Sequence, residues 1–286
     1  MVPVLLLPDD DPRHLVARPW GGRRLAPGPD AAGPIGEAWV LSTLPERPSY
    51  AGGRPLSSWL DAPLDLLVKL LDTARPLSVQ VHPDDGDLGP GTTGKEEAWI
   101  VLSADEGAWI RAGLAPGTSA EELVRAAAGA GAHAAPDVLS RLSLLRPRPG
   151  DVVLLPAGVP HALGPGLFLT EVQQPTDATL RLYDYGRGRP LHLAEAARVL
   201  RADRRPRCLP PGGAGTVEGA HLALARGARV EAPAGRPTVF LATAPGAFVE
   251  RGRARAELPP NLPALAPLGG VGVAPTGGAV YAAWTR

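Results

Sequence analysis

Cysteine occurs once in the 286 residues, at Cys208, so no intrachain disulfide and no thiolate zinc cluster can form. Lysine is nearly as scarce, with Lys69 and Lys95 standing against 27 arginines. Glutamine occurs only at Gln80, Gln173 and Gln174, and asparagine only at Asn261. Neither sign of charge is in excess: 29 basic and 29 acidic side chains cancel, which argues against a nucleic-acid binder with its usual basic surplus. No apolar run approaches the roughly 18 residues that a membrane-spanning helix needs. The apolar start, Met1 to Leu7, is short and runs into Asp9, Asp10 and Asp11, unlike a secretory leader. Together these absences predict a soluble, cytoplasmic protein with no membrane and no nucleic-acid partner.

What is abundant is glycine (35), proline (34) and apolar residues (44%), enough for a sizeable core. Glycine and proline punctuate the apolar runs instead of forming tracts, so they read as turns. In a chain biased towards Ala, Gly, Pro, Arg and Leu, the positions that keep Lys or Gln are informative. Arginine cannot give up its proton, whereas lysine can be tuned to do so. All five such positions fall between 69 and 174.

Residues 1 to 60 read as loops and edge strands. The apolar stretch 64 to 72 fits a buried strand or a short helix. Residues 77 to 82 alternate with period two and predict a strand, as do 97 to 102 and 108 to 111. Ser119 and Glu122 form a capping box that opens a helix over 119 to 132. Strands follow at 142 to 145, 151 to 155, 167 to 173 and 179 to 183, then a second helix at 191 to 203. A Pro/Arg-rich stretch, 204 to 214, reads as a linker, and 215 to 286 holds further short strands. Many short strands with Gly/Pro turns predict a mainly β sandwich or barrel with small helical additions.

One group of side chains points to metal chemistry. Gln80 and His82 are two apart on a strand and share a face. Glu97 opens the next strand. His161 follows a strand that ends in a Pro156-Ala-Gly158 turn, which directs the imidazole inward. Two imidazoles, a carboxylate and an amide oxygen suit one divalent ion, most naturally zinc, with iron, manganese, cobalt and nickel also compatible. With ligand charge −1 against +2, such a centre favours an anionic oxygen or an acidified water. His14, His133, His192 and His221 have no such companions and are assigned structural roles.

The stretch from Gly150 through Pro156 and Gly158 to His161 resembles the second cupin motif. More narrowly, the chain resembles the type I mannose-6-phosphate isomerases (phosphomannose isomerases) in their short bacterial form. The resemblance runs through Arg18-Pro-Trp-Gly-Gly22, Gly36 to Trp39, Leu67 to Asp72, Leu77 to Asp85, Gly94 to Trp99, Pro149 to Gly164, Glu171 to Gln174 and Asp177 to Tyr185. It covers about 18 to 200. It implies a cupin (double-stranded β-helix, or jelly-roll) barrel over 1–203 with a helical insert, a linker at 204–214, and a second, metal-free β-barrel over 215–286. It implies Gln80, His82, Glu97 and His161 as ligands of one divalent ion. It marks Arg181, Lys95 and Glu171 as catalytic, and Lys69, Ser78, Trp20 and Glu37 as lining the substrate pocket. Ala38, Ala98 and Glu96 depart from the family pattern beside motif residues and are candidates to reshape that pocket.

The activity implied is interconversion of mannose 6-phosphate and fructose 6-phosphate through an enediolate. A cationic centre near the carbonyl oxygen stabilises that charge, and a base moves the proton between C2 and C1. Glu171, Lys95 and Asp177 are each candidates for the base. Lys69, Lys95, Ser78 and Arg181 suit a phosphate. Ser78 shares a strand face with Gln80 and His82, and Lys95 stands two residues before Glu97. The other readings are a different metal-dependent cupin enzyme, such as a dioxygenase, and a non-catalytic sugar-phosphate-binding cupin. Gln80 in place of a first histidine argues against the former. The oligomeric state is open between monomer and homodimer.

Overall fold

The computed structural model describes residues 3–26, 33–129, 131 and 134–286. His133 lies outside them. The named strands pair antiparallel throughout, in four main sheets and one short hairpin. A seven-stranded sheet runs in the order Leu15–Gly22, Ile35–Leu41, Leu67–Thr73, Leu167–Gln173, Glu97–Ala104, Val152–Leu155 and Arg207–Leu209. A five-stranded sheet faces it, in the order Leu180–Tyr183, Val79–Val81, His161–Leu163, Ile110–Leu114 and Leu142–Leu145. This is the cupin sandwich expected, and the apolar stretch 64 to 72 enters its strand only at Leu67, in Leu67–Thr73.

Alternation explains why the large sheet's strands are apolar on nearly every residue. Leu71, Trp99, Val153 and Leu169 turn inwards and meet Leu77, Ile110 and Leu163 of the facing side. At alternate positions on the same strands, Leu70, Ala98, Val152 and Val172 turn outwards into a second core. That second core is completed by Leu222, Leu224, Val239, Leu241, Tyr281 and Ala283, from a C-terminal five-stranded sheet. This sheet is itself covered on both faces. Its alternate residues Phe240, Ala242, Val280 and Ala282 pack with Val230, Val249 and Leu258 of a four-stranded sheet. Burying each such Val, Leu or Phe is worth roughly 1.5–3 kcal/mol, so the C-terminal sheets are fastened to the cupin by a shared core. Within the segment expected as a linker, Arg207–Leu209 pairs with Val152–Leu155 as the large sheet's edge strand.

Three short helices cover the outer face of the smaller cupin sheet. Leu123, Val138, Ala196 and Val199 pack there on Val79, Val81, Ala162 and Leu182. The capping box is formed: Glu122 N–H donates to Ser119 Oγ at 3.2 Å, and Ser119 N–H donates to Glu122 Oε2 at 2.8 Å. This helix, Ala120–Ala128, stops at Gly129, short of the expected end. A second helix, Ala135–Ser140, was not foreseen. The last, Leu193–Val199, is also shorter than expected. The chain turns extended at Leu200, and the Arg201 N–H donates to the Gly158 carbonyl at 2.9 Å, beneath the turn that carries His161.

Candidate metal centre and its cleft

Strand register builds the site from two facing rows. Across the smaller sheet, Arg181, Gln80, His161 and Ala112 are paired neighbours. Across the large sheet, Trp39, Lys69, Glu171, Trp99 and Val153 form the opposing row. Gly158, at φ 82°, makes the turn before His161, and its N–H donates to the His82 carbonyl at 2.8 Å. That bond ties the two histidine-bearing segments together.

His82, Glu97 and His161 are buried and offer ligand atoms within 4.8 Å of one another. Nε2 of His82 stands 3.4 Å from Glu97 Oε2, and Nε2 of His161 stands 3.2 Å from Oε1. His82 Nδ1 faces the Ala178 carbonyl at 2.7 Å, and His161 Nδ1 faces the Val159 carbonyl at 3.0 Å. Both Nδ1 atoms therefore carry the proton, which leaves both Nε2 lone pairs aimed at the same point. Burial, and the Lys95 charge after it, lowers the pKa of His82, and burial likewise lowers that of His161, so both are neutral near pH 7. Burial opposes ionisation of Glu97, but Lys95 and the two histidines hold its carboxyl well below the usual range. Neither Glu97 oxygen takes a well-directed hydrogen bond, although Lys95 Nζ lies 2.7 Å from Oε2 as an ion pair. Neutral imidazoles around an ionised, under-satisfied carboxylate fit a divalent ion, and these three residues could hold one.

Gln80, the fourth residue expected at this point, lies beside the other three. Its Nε2 lies 3.3 Å and 3.2 Å from the two imidazole Nε2 atoms, while its Oε1 accepts from Ser78 Oγ at 2.9 Å. Oxygen and nitrogen of an amide are exchangeable by a half-turn. The half-turn presents oxygen to the ligand point and leaves nitrogen to donate to Ser78.

A cleft of about 90 Å³ opens beside this cluster, lined by Trp20, Glu37, Lys69, Ser78, Gln80, Lys95, Glu171 and Arg181 among others. Every expected pocket residue is therefore brought together. Glu171 accepts from Trp99 Nε1 at 2.9 Å and lies 3.7 Å from Lys95 Nζ and 4.0 Å from Lys69 Nζ. Burial, reinforced by Glu97, outweighs the two lysines and raises its pKa to about 7. Burial alone would lower the pKa of Lys95, but Glu171, Glu97 and Asp177 outweigh it and keep the ammonium charged. Lys69 is fully enclosed, 2.7 Å from Asp177 and 3.6 Å from Glu37. It is a cleft cation and not a lysine reaching for solvent. Arg181 makes no ion pair among the described residues, and its Nε is buried without a partner; Asp184 pairs instead with Arg187 and Arg189.

The structure also places Arg18, Thr179 and Arg189 in the cleft wall, and these were not foreseen. Arg18 was findable: it stands two residues before Trp20 on one strand and shares its face. Its Nε lies 2.7 Å from Glu37 and an Nη lies 3.7 Å from Asp177. Three expectations are corrected. Ala38 and Ala98 face the core shared with the C-terminal sheet, and Glu96 points away from the cleft, because each neighbours a residue that points in. None of the three lines the pocket.

No family model matches the chain. A mannose-6-phosphate isomerase of Streptococcus mutans is 35% identical over 208 residues, covering 63% of this chain and 64% of that protein. In sequence the chain is similar to mannose-6-phosphate isomerases. Mannose-6-phosphate isomerase ManA of Bacillus subtilis is 35% identical over 150 residues, 49% of this chain and 45% of its own length. The chain thus spans just under two thirds, or less, of the curated relatives it matches. The fold extends further than the sequence match. The crystal structure of a mannose 6-phosphate isomerase from Bacillus subtilis superposes with a TM-score of 0.74 at 23% identity, covering 99% of both chains. The apo form from Salmonella typhimurium gives 0.66 at 14% identity, covering 99% of this chain and 98% of the other.

Proposed function

We propose that this chain is a metal-dependent aldose–ketose isomerase that interconverts mannose 6-phosphate and fructose 6-phosphate in the cytoplasm. The observation that carries the reading is one cleft in which a buried His/Glu/His cluster adjoins fixed cations and a carboxyl titrating near neutrality. Its likeness in sequence to mannose-6-phosphate isomerases supports the substrate. His82, Glu97 and His161 would hold the ion, with Gln80 as a fourth ligand, and the N/O donor set favours Zn²⁺. When bound, that ion supplies positive charge for a developing enediolate.

The other residues divide the work. Glu171, half ionised at neutral pH, is suited to take a proton from C2 and return it to C1. Lys95 is held charged, so it stabilises a sugar oxygen and does not act as base. Arg181, also permanently charged, serves the oxyanion. Asp177 lies against Lys69 and near Arg18 at the cleft rim, where its carboxylate occupies the place an entering phosphate would contest. Ser78 orients Gln80, Glu37 orients Lys69 and Arg18, and Trp20 walls the cleft. In this reading residues 1–203 are the catalytic cupin, 204–214 the connection, and 215–286 a second β unit without a metal of its own. The test is formation of fructose 6-phosphate from mannose 6-phosphate in a coupled assay, with and without chelator. Turnover that chelation abolishes and Zn²⁺ restores supports the reading. Sugar-phosphate binding without turnover favours the binding module instead.

A further inference from the structure

Glu96 stands between Lys95 and Glu97, and strand alternation sends its side chain to the opposite side of the sheet. There the carboxylate is buried, 1% exposed, and accepts three backbone N–H groups from one turn of the C-terminal segment. Ala220 N donates to Oε2 at 2.9 Å, and His221 N and Leu222 N donate to Oε1 at 2.9 and 2.8 Å. Gly219 closes that turn so tightly that a Cβ there would lie 2.1 Å from Oε1. The main chain of Glu96 is held as well. Its N–H donates to Gln174 Oε1 at 2.8 Å, and its carbonyl accepts from Gln174 N at 3.1 Å. Gln174 Nε2 in turn donates to Asp85 Oδ1 at 3.1 Å, which also takes the Gly94 N–H at 2.6 Å.

We propose that Glu96 is a positioning residue through which the 219–222 turn fixes Lys95 and Glu97 in the metal cleft, coupling the C-terminal segment to the metal centre. Lys95 and Glu97 are its two covalent neighbours, so any shift of Glu96 moves both. A carboxylate that holds three backbone N–H groups, that of the buried Leu222 among them, resists such a shift, because a buried donor left open costs its desolvation. Ion binding then depends on a turn more than 120 residues away in sequence. The inference rests on the metal-site reading above.

The test uses the full chain and Zn²⁺ alone, with its dissociation constant measured by competition with a chromophoric chelator. Glu96→Gln sets an amide N–H against backbone donors, and Gly219→Ala pushes on the carboxylate from the other side. Both should weaken zinc retention by about fivefold or more, the lower end of typical coupling between sites. Phe240→Leu, buried between the two C-terminal sheets, is the control for general destabilisation. At a comparable loss of thermal stability its zinc affinity should stay within about twofold of wild type. Smaller losses in the two clamp variants, or an equal loss in the control, overturn the proposal. Should the clamp variants not fold, the wild type decides by hydrogen exchange, since coupling is reciprocal. Zinc loading should slow exchange at Ala220, His221 and Leu222 more than at Val239 and Leu241, and equal slowing overturns the proposal. A wild-type chain that holds no zinc would instead refute the metal reading itself.

Discussion

Neutralising Glu37 should cost stability in a strongly pH-dependent way. Its carboxylate takes Arg18 Nε at 2.7 Å, Arg18 Nη2 at 3.2 Å and Trp39 Nε1 at 2.9 Å, with Lys69 Nζ 3.6 Å away. Burial alone would raise its pKa, but Lys69 and Arg18 overrule it and bring the value from 4.5 down to about 2. The folded pKa lies below the unfolded one, so the stabilisation is complete above the unfolded value and is lost as pH falls through the folded one. That separation is worth about 3 kcal/mol at pH 7 and about 1.4 kcal/mol near pH 3. Glu37→Gln keeps the shape and an acceptor for Trp39 while removing the titration. Urea unfolding of both proteins at fixed salt measures the gap between them. The gap should narrow by about 2 kcal/mol between pH 7 and about pH 3. A gap that is constant with pH, or wider in acid, refutes the ion-pair account of Glu37.

Three further outcomes follow from the cleft. His82→Ala or His161→Ala should abolish metal retention and turnover with the β fold intact by circular dichroism; normal turnover in metal-free variant protein would remove the metal role. Glu171→Gln should lower kcat by roughly 10²–10⁴-fold. In wild type the rate should rise with pH through about 7 as Glu171 ionises, and a variant that keeps this limb would assign the base elsewhere. Arg181→Lys should lose far more in kcat than in substrate affinity, read as separate kcat and KM, because a compact ammonium does not replace the planar fork.

The amino-acid sequence by itself determined most of the strands and the candidate ligand residues. Gln80 and His82 share a face through period-two alternation, His161 follows a turn that Gly158 permits, and Ser119 with Glu122 opens a helix. These are local rules, set by side-chain direction and backbone sterics within a few residues. Tertiary structure alone decided what those rules leave open. It put Glu171 beside Lys69, Lys95 and Trp99, and that surrounding separates the base candidates, because a pKa is the field of neighbours brought from distant segments. It turned Ala38 and Ala98 into a core with the C-terminal sheet and gave Glu96 its three backbone donors. Alternation says which residues share a face but not what that face meets. Long-range strand pairing and burial set the partner, and with it the chemistry of the cleft.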